Sequence, residues 1–271
     1  MFKDVIIGQY IEGDSFIHKM DAKVKIILTL LFMVLLFVIK SPVSYLIVTA
    51  LTFWIIVMCG VPFKCIFKGI KPMLFILVFT AVMNLFMTPG ESLVSINLGV
   101  LTLSISKEGI ITATMMVIRL LYLLLGTSVL TLTTTPLKLT DGIERLLKPL
   151  NVIKVPSHEI AMMMTIALRF IPTLADETDK IIKAQKARGA DFETGGIVKR
   201  AKALIPILVP LFVSSFRRAD ELATAMESRC YRGGEGRTKM NESHIKNSDV
   251  KAAVIFVLVA FVSVAFSYLT V

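Results

Sequence analysis

The sequence predicts an all-α, polytopic membrane protein with about five transmembrane helices, a cytoplasmic helical region and a small external β-hairpin near residues 93–105. Hydrophobic residues make up 55% of the chain and fall in blocks, which a soluble domain of this length does not need. Lysine and arginine alternate between successive connections, as the positive-inside bias requires. The polar third contains two charged, helix-like stretches that end in the same way.

Residues 1–132 are read as an N-terminal lead-in and transmembrane helices 1–4. Residues 133–250 form a cytoplasmic and membrane-proximal helical segment, and 251–271 a C-terminal transmembrane helix. A spanning helix needs about 20 largely apolar residues. The blocks are Val24 to Ile39, Val43 to Val61, Pro72 to Met87, Ile110 to Leu132 and Ala252 to Val271. The first and third are short and would borrow a turn from their flanks. The start, Met1-Phe2-Lys3-Asp4, has no basic stretch leading into an apolar run, so no cleaved signal is expected. Asp14-Ser15 is placed to cap a short helix before span one. After span three, Val94, Ile96 and Leu98 alternate with Ser95, Asn97 and Gly99. Leu101, Leu103 and Ile105 alternate with Thr102 and Ser104. That period of two around Gly99 reads as a hairpin, with an irregular apolar surface loop as the alternative.

Lys3, Lys19, Lys23 and Lys25 precede span one, and Lys64, Lys68 and Lys71 separate spans two and three. Residues 133–251 carry 20 Lys and Arg. Lys40 and Lys107 are the only basic residues in the two opposite connections. The N-terminus and the long polar segment are therefore expected in the cytoplasm of a bacterium, the C-terminus outside, and the chain in the inner (plasma) membrane. The net charge of +10 follows from this bias and from attraction to anionic inner-leaflet lipid. Nucleic-acid binding is not expected, because acids are interleaved with the bases and no stacking aromatics accompany them. Cys59, Cys65 and Cys230 have no zinc-ligand spacing, and a reducing cytoplasm would keep them as thiols.

In the polar third a short amphipathic helix is expected near Thr140 to Leu150, then a break at Lys154-Val155-Pro156. Long helices follow from about Ser157 to Ala187 and from about Ile197 to Tyr231. Pro172 is expected to kink or divide the first, and Pro206 and Pro210 to break the second. Each has an apolar proximal half and a charged distal half. Asp176 with Lys180 and Asp179 with Lys183 are i,i+4 pairs worth about 0.3 kcal/mol each. A shift of 41 positions places Asp179 on Asp220, Ala184 on Ala225, Ala187 on Ser228 and Arg188 on Arg229. Each helix thus ends in a small residue and then an arginine. Gly189 suits the left-handed conformation that ends a helix. Two matching tips point to two matching sockets on a partner. An arginine fork can grip a carboxylate with two hydrogen bonds and stays charged on burial.

No acid or histidine lies within a span, where proton relays and ion sites are built. Arg119 reads as a snorkelling arginine at the outer end of span four, Asn84 as helix-packing glue and His18 as a solvated interfacial residue. Met162-Met163-Met164 reads as helix packing or a pliable contact surface. The run Arg232-Gly233-Gly234-Glu235-Gly236-Arg237-Thr238 lacks the ending of a phosphate loop and reads as a turn. Asp141, Glu144, His158 and Glu159 are loose candidates for enzyme chemistry, interrupted by Pro149 and Pro156.

Four segments carry a family resemblance. They are Asp14-Ser15-Phe16-Ile17-His18-Lys19-Met20-Asp21, Ala167-Leu168-Arg169-Phe170-Ile171-Pro172-Thr173-Leu174, Lys183-Ala184-Gln185-Lys186-Ala187-Arg188-Gly189-Ala190-Asp191 and Ala225-Met226-Glu227-Ser228-Arg229-Cys230-Tyr231-Arg232-Gly233-Gly234. With these the chain resembles, over nearly its full length, the T component of energy-coupling factor transporters, ABC-type importers of vitamins and transition-metal ions. The resemblance implies a non-catalytic coupling subunit. Two ABC ATPase subunits would dock on Ala187, Arg188 and Gly189 and on Ser228, Arg229 and Cys230, with Cys230 replacing the usual glycine. A separate membrane S component would bind the substrate. The chain itself would hold no cofactor or metal, ATP and magnesium belonging to the ATPases. The rival readings are a stand-alone permease or channel and a membrane-embedded lipid-precursor enzyme.

Overall fold

The computed structural model describes residues 10–88, 92–97, 102–153, 156–192, 196–234 and 244–269. The expectations for Met1 to Asp4, Gly99, the Lys154-Val155 break and Glu235 to Thr238 lie outside them. The chain divides into two compact units, one of residues 9–142 and 243–271 and one of residues 1–8 and 143–242.

The first unit is the apolar one. It contains α1 (Phe16–Lys19), α2 (Ala22–Val38), α3 (Pro42–Cys59), α4 (Phe63–Ile70), α5 (Leu74–Met87), α6 (Lys107–Thr133), the start of α7 (Pro136–Leu147) and α10 (Asn247–Leu269). Local chemistry sets the ends. The Ser15 hydroxyl accepts from the His18 amide and caps α1, while the Asp21 carboxylate accepts from the Lys23 amide and caps α2. Asp14 instead pairs with Lys19 at 3.2 Å. Pro42 opens α3, where a missing N–H costs nothing, and Gly60 at φ +66 closes it. Ser106 accepts from the Gly109 amide and caps α6.

Among the described residues four helices are long and apolar enough to cross a membrane: Pro42–Cys59, Cys65–Met87, Lys107–Thr133 and Asn247–Leu269. The third expected span is lengthened as anticipated, through α4 and a 3-10 turn at Lys71–Met73. Lys64, Lys68 and Lys71 thus lie in helix rather than in a loop. The first expected span is α2, with 17 residues, at the bottom of the spanning range. Large apolar side chains point outward along these helices, Phe53 at 62% and Phe261 at 72% exposure among them. Lipid, not water, suits such a surface. Between α5 and α6 the strands β1 (Ser92–Asn97) and β2 (Thr102–Ser106) pair antiparallel, with Ser95 opposite Ser104 and an irregularity between Ser92 and Val94.

The core of this unit gathers Leu36, Ile39, Val48 and Cys59, all essentially fully buried. Small polar residues bring α10 close to α2 and α3. Ser44 donates to the Ser263 carbonyl at 2.8 Å, and the Lys40 amide to the Ser267 hydroxyl at 3.0 Å. Such side chains permit close helix packing in lipid.

Arg119 does not snorkel. Its Nε donates to the Tyr45 hydroxyl at 2.9 Å, its Nη2 to the Ile39 carbonyl at 3.3 Å, and its guanidinium lies 5.7 Å from the Phe37 ring centre. The last carbonyls of a helix lack intrahelical donors, and Arg119 supplies one to the end of α2. His18 is buried, not solvated. Ser15 Oγ lies 2.6 Å from its Nδ1, and its Nε2 lies 3.0 Å from the Ile11 carbonyl. Burial lowers its pKa more than the Ile11 bond raises it. Asn84 turns back on its own helix and donates to the Thr80 carbonyl at 2.8 Å.

The second unit holds the end of α7, a 3-10 stretch at Lys148–Ile153, α8 (Ser157–Ala187) and α9 (Ile197–Ser228). The amphipathic helix begins at Pro136 rather than near Thr140, because proline is suited to a first helical turn. The expected proline breaks do not divide α8 or α9. Pro210 has no N–H for the Pro206 carbonyl, and Gln185 Nε2 reaches that oxygen at 3.4 Å. A neighbouring helix thus supplies what the proline removes. Neither Asp176–Lys180 nor Asp179–Lys183 closes to an ion pair, as weak exposed pairs often do not.

Candidate functional site

The two tips share one backbone design. In α8, Arg188 is the C-cap at φ −86, followed by Gly189 at φ +86. The Gly189 amide donates to Lys186 and the Ala190 amide to Gln185, both at 3.0 Å. In α9, Arg229 is the C-cap at φ −93, followed by Cys230 at φ +57. The Cys230 amide donates to Glu227 at 2.9 Å and the Tyr231 amide to Met226 at 3.0 Å. These are the paired bonds of a Schellman end, and each of the two has its counterpart 41 positions on. The residue with a side chain at the glycine position therefore does not loosen the second helix. Cys230 adopts the left-handed conformation and is the only non-glycine among the described residues to do so.

Ala187, Arg188, Gly189, Ser228, Arg229 and Cys230 are all exposed. Neither guanidinium has a hydrogen-bond or ion-pair partner among the described residues. The lysines and acids of both distal halves are largely exposed as well.

α8 and α9 pack in opposite directions. Arg218 Nη2 donates to Glu177 Oε2 at 2.6 Å. Gln185 reaches Pro206, and Ile166, Phe170 and Leu174 share a cavity of about 300 Å³ with Leu222 and Met226. Extended along the helices, this register sets Arg229 across from about residue 163 and Arg188 across from about residue 204. The tips lie at opposite ends of the pair, roughly 37 Å apart at 1.5 Å of rise per residue. The Ser214 hydroxyl and then Arg218 hold the Glu177 carboxyl below its ordinary pKa.

The proximal half of α9 shows an apolar face, with Ile205, Val209, Phe212 and Phe216 exposed. Met163 and Met164 on α8 are also exposed, so the methionine cluster contributes surface rather than core. Of the loose acid and histidine candidates, Glu144 and His158 do meet, Oε1 to Nδ1 at 3.1 Å. Pro149 and Pro156 lie between its members, which hides the pair in the linear sequence. Among the described residues no group of three His, Cys, Asp or Glu could hold a metal ion.

The cobalt transport protein family (CbiQ) matches residues 13–240. An energy-coupling factor transporter transmembrane protein EcfT from Clostridium kluyveri is 54% identical over 264 residues, covering 97% of each chain. The EcfT of Ruminiclostridium cellulolyticum is 55% identical over 258 residues, 95% of each chain. That of Bacillus subtilis is 43% identical over 260 residues, 96% of this chain and 97% of its own. With a family match over most of its length and such relatives from end to end, this chain belongs to the CbiQ/EcfT family of energy-coupling factor transporter membrane components.

Proposed function

We propose that this chain is the non-catalytic coupling subunit of an energy-coupling factor importer, and that its two arginine tips each dock one ABC ATPase subunit. The observation that carries this is the duplicated helix end: two exposed arginines, without a side-chain partner among the described residues, follow one backbone design in the same 41-residue register. The tips are roughly 37 Å apart. Two touching domains of about 200 residues have centres about 40 Å apart, given a radius of gyration near 16 Å. One tip per subunit fits that spacing. ATP and magnesium belong to the docked subunits. The substrate, a vitamin or a transition-metal ion, belongs to a separate S component in the membrane. Closure of the ATPases moves α8 and α9, and the helices pass that motion to the S component.

The topology that fits this role places the N-terminus and residues 133–250 in the cytoplasm and the C-terminus outside a bacterial plasma membrane. A carboxylate socket left empty after burial costs about 2–5 kcal/mol. Arg188→Ala and Arg229→Ala should each lower ATP-driven uptake by the reconstituted complex about tenfold or more, and the double variant should abolish it. Unchanged uptake in the double variant refutes the docking role. A self-sufficient permease would instead give flux from this chain alone in liposomes.

A further inference from the structure

The backbone that leaves the second tip rests on a seat. Gly233 takes φ +90 with open space around it, a left-handed turn that glycine makes without strain. Gly234 then lies against the imidazole of His158. A Cβ at Gly234 would stand 2.8 Å from Cδ2 and 2.9 Å from Cγ, closer than such atoms approach. The adjacent glycines thus meet different needs, a turn and a close contact.

The ring beneath them is fixed. Nδ1–H donates to Glu144 Oε1 at 3.1 Å. Nε2 is buried and has no hydrogen-bond partner among the described residues. Glu144 belongs to α7 and His158 to the first turn of α8. The seat is therefore built from elements other than the helix whose end it supports. Among the described residues the first tip shows no such contact: a Cβ at Gly189 or Gly196 would meet nothing within 4 Å.

We infer that His158, held by Glu144, is a positioning residue for the Arg229 tip and not for the Arg188 tip. The Tyr231 amide closes the cap that holds Arg229, and only Arg232 and Gly233 separate Tyr231 from the seated glycine. Lifting Gly234 from the ring therefore pulls on that cap. The inference rests on the docking reading.

The test uses the full chain in lipid nanodiscs and the purified ATPase pair. His158→Ala and Gly234→Val should weaken binding about tenfold in an Arg188→Ala background, where Arg229 provides the remaining contact. Both should leave binding unchanged in an Arg229→Ala background. Glu144→Leu should act like His158→Ala, while Glu144→Gln, whose carbonyl still accepts from Nδ1–H, should bind as the parent does. A nitroxide on Cys230, in a chain with Cys59→Ser and Cys65→Ser, should become more mobile with His158→Ala. A nitroxide at Ala187→Cys, with all three native cysteines replaced, should not. Equal loss in both backgrounds, no loss in the first, or unchanged mobility at Cys230 would overturn the inference. If neither arginine variant weakens binding, the docking reading fails, and the nitroxide comparison alone decides the seat.

Discussion

Arg218 donates to Glu177 at 2.6 Å, and the two residues are 41 positions apart, the offset that also relates Arg188 to Arg229. In an antiparallel helix pair such as α8 and α9, residues equivalent under the repeat meet only at a local two-fold axis. The contact therefore marks a local pseudo-two-fold between α8 and α9. Each member lies about three helical turns before its own arginine, so the tips are disposed evenly about it.

The Glu177–Arg218 pair should measure as a modest coupling. Both side chains are partly exposed, and such pairs contribute about 0.2–1 kcal/mol. A double-mutant cycle with Glu177→Gln and Arg218→Met should return a value in that range. The lowered pKa of Glu177 gives the pH dependence its sign. The contribution is complete above the unfolded carboxylate pKa of about 4.3 and is lost as pH falls through the lower folded value. Melting curves between pH 6 and 3 should show this slope in the parent and a smaller one in Glu177→Gln.

The two helix ends should respond oppositely to exchange of their left-handed residues. A side chain in that conformation costs about 1–2 kcal/mol. Gly189→Ala should lower the melting temperature, and Cys230→Gly should raise it or leave it unchanged. A drop with Cys230→Gly would show that the cysteine makes a contact worth more than its strain.

Arg119 should be a stability residue. Hydrogen bonds to charged groups contribute about 1.5–3 kcal/mol, and this one joins α6 to the end of α2 and to α3. Arg119→Ala should lower thermal stability in detergent by that order, with Tyr45→Phe smaller, since the Ile39 bond survives. ATPase binding should be unaffected by either.

The N-terminal lead-in should loosen at mildly acid pH. Burial lowers the His18 pKa, so its contribution is present above the unfolded value of about 6.5 and is lost as pH falls through the folded one. Limited proteolysis of the lead-in should accelerate between pH 7.5 and 5. His18→Gln, which keeps a donor for the Ile11 carbonyl and does not titrate, should flatten that profile.

The tips were legible because their signal is local. A small residue, an arginine and a left-handed position occupy neighbouring places, and the 41-residue repeat needs no tertiary knowledge. The strands were legible for the same reason, since Ser95 and Ser104 sit within alternating runs. What was missed depends on distant partners. Pro210 reads as a break until Gln185 reaches the carbonyl it frees. Arg119 reads as snorkelling until the Ile39 carbonyl is found beside it. His18 reads as solvated until Ile11 covers it, and Glu144 with His158 reads as scattered until the chain folds back across two prolines. Cys230 could be placed at the left-handed position by its match to Gly189, and the surrounding hydrogen bonds show that a residue with a side chain is held there as well.

The head-to-tail arrangement of α8 and α9 has a mechanical corollary. Each tip is carried by a different rod, and the rods overlap along their length. Drawing the tips together cannot be done by swinging the pair as one piece, which keeps their separation constant. It requires the rods to slip past each other or to bow at Pro172, Pro206 or Pro210. Work applied at the ends would then appear as shear along the seam at Glu177 and Arg218, where their ion pair, with Ser214 beside it, resists movement in either direction.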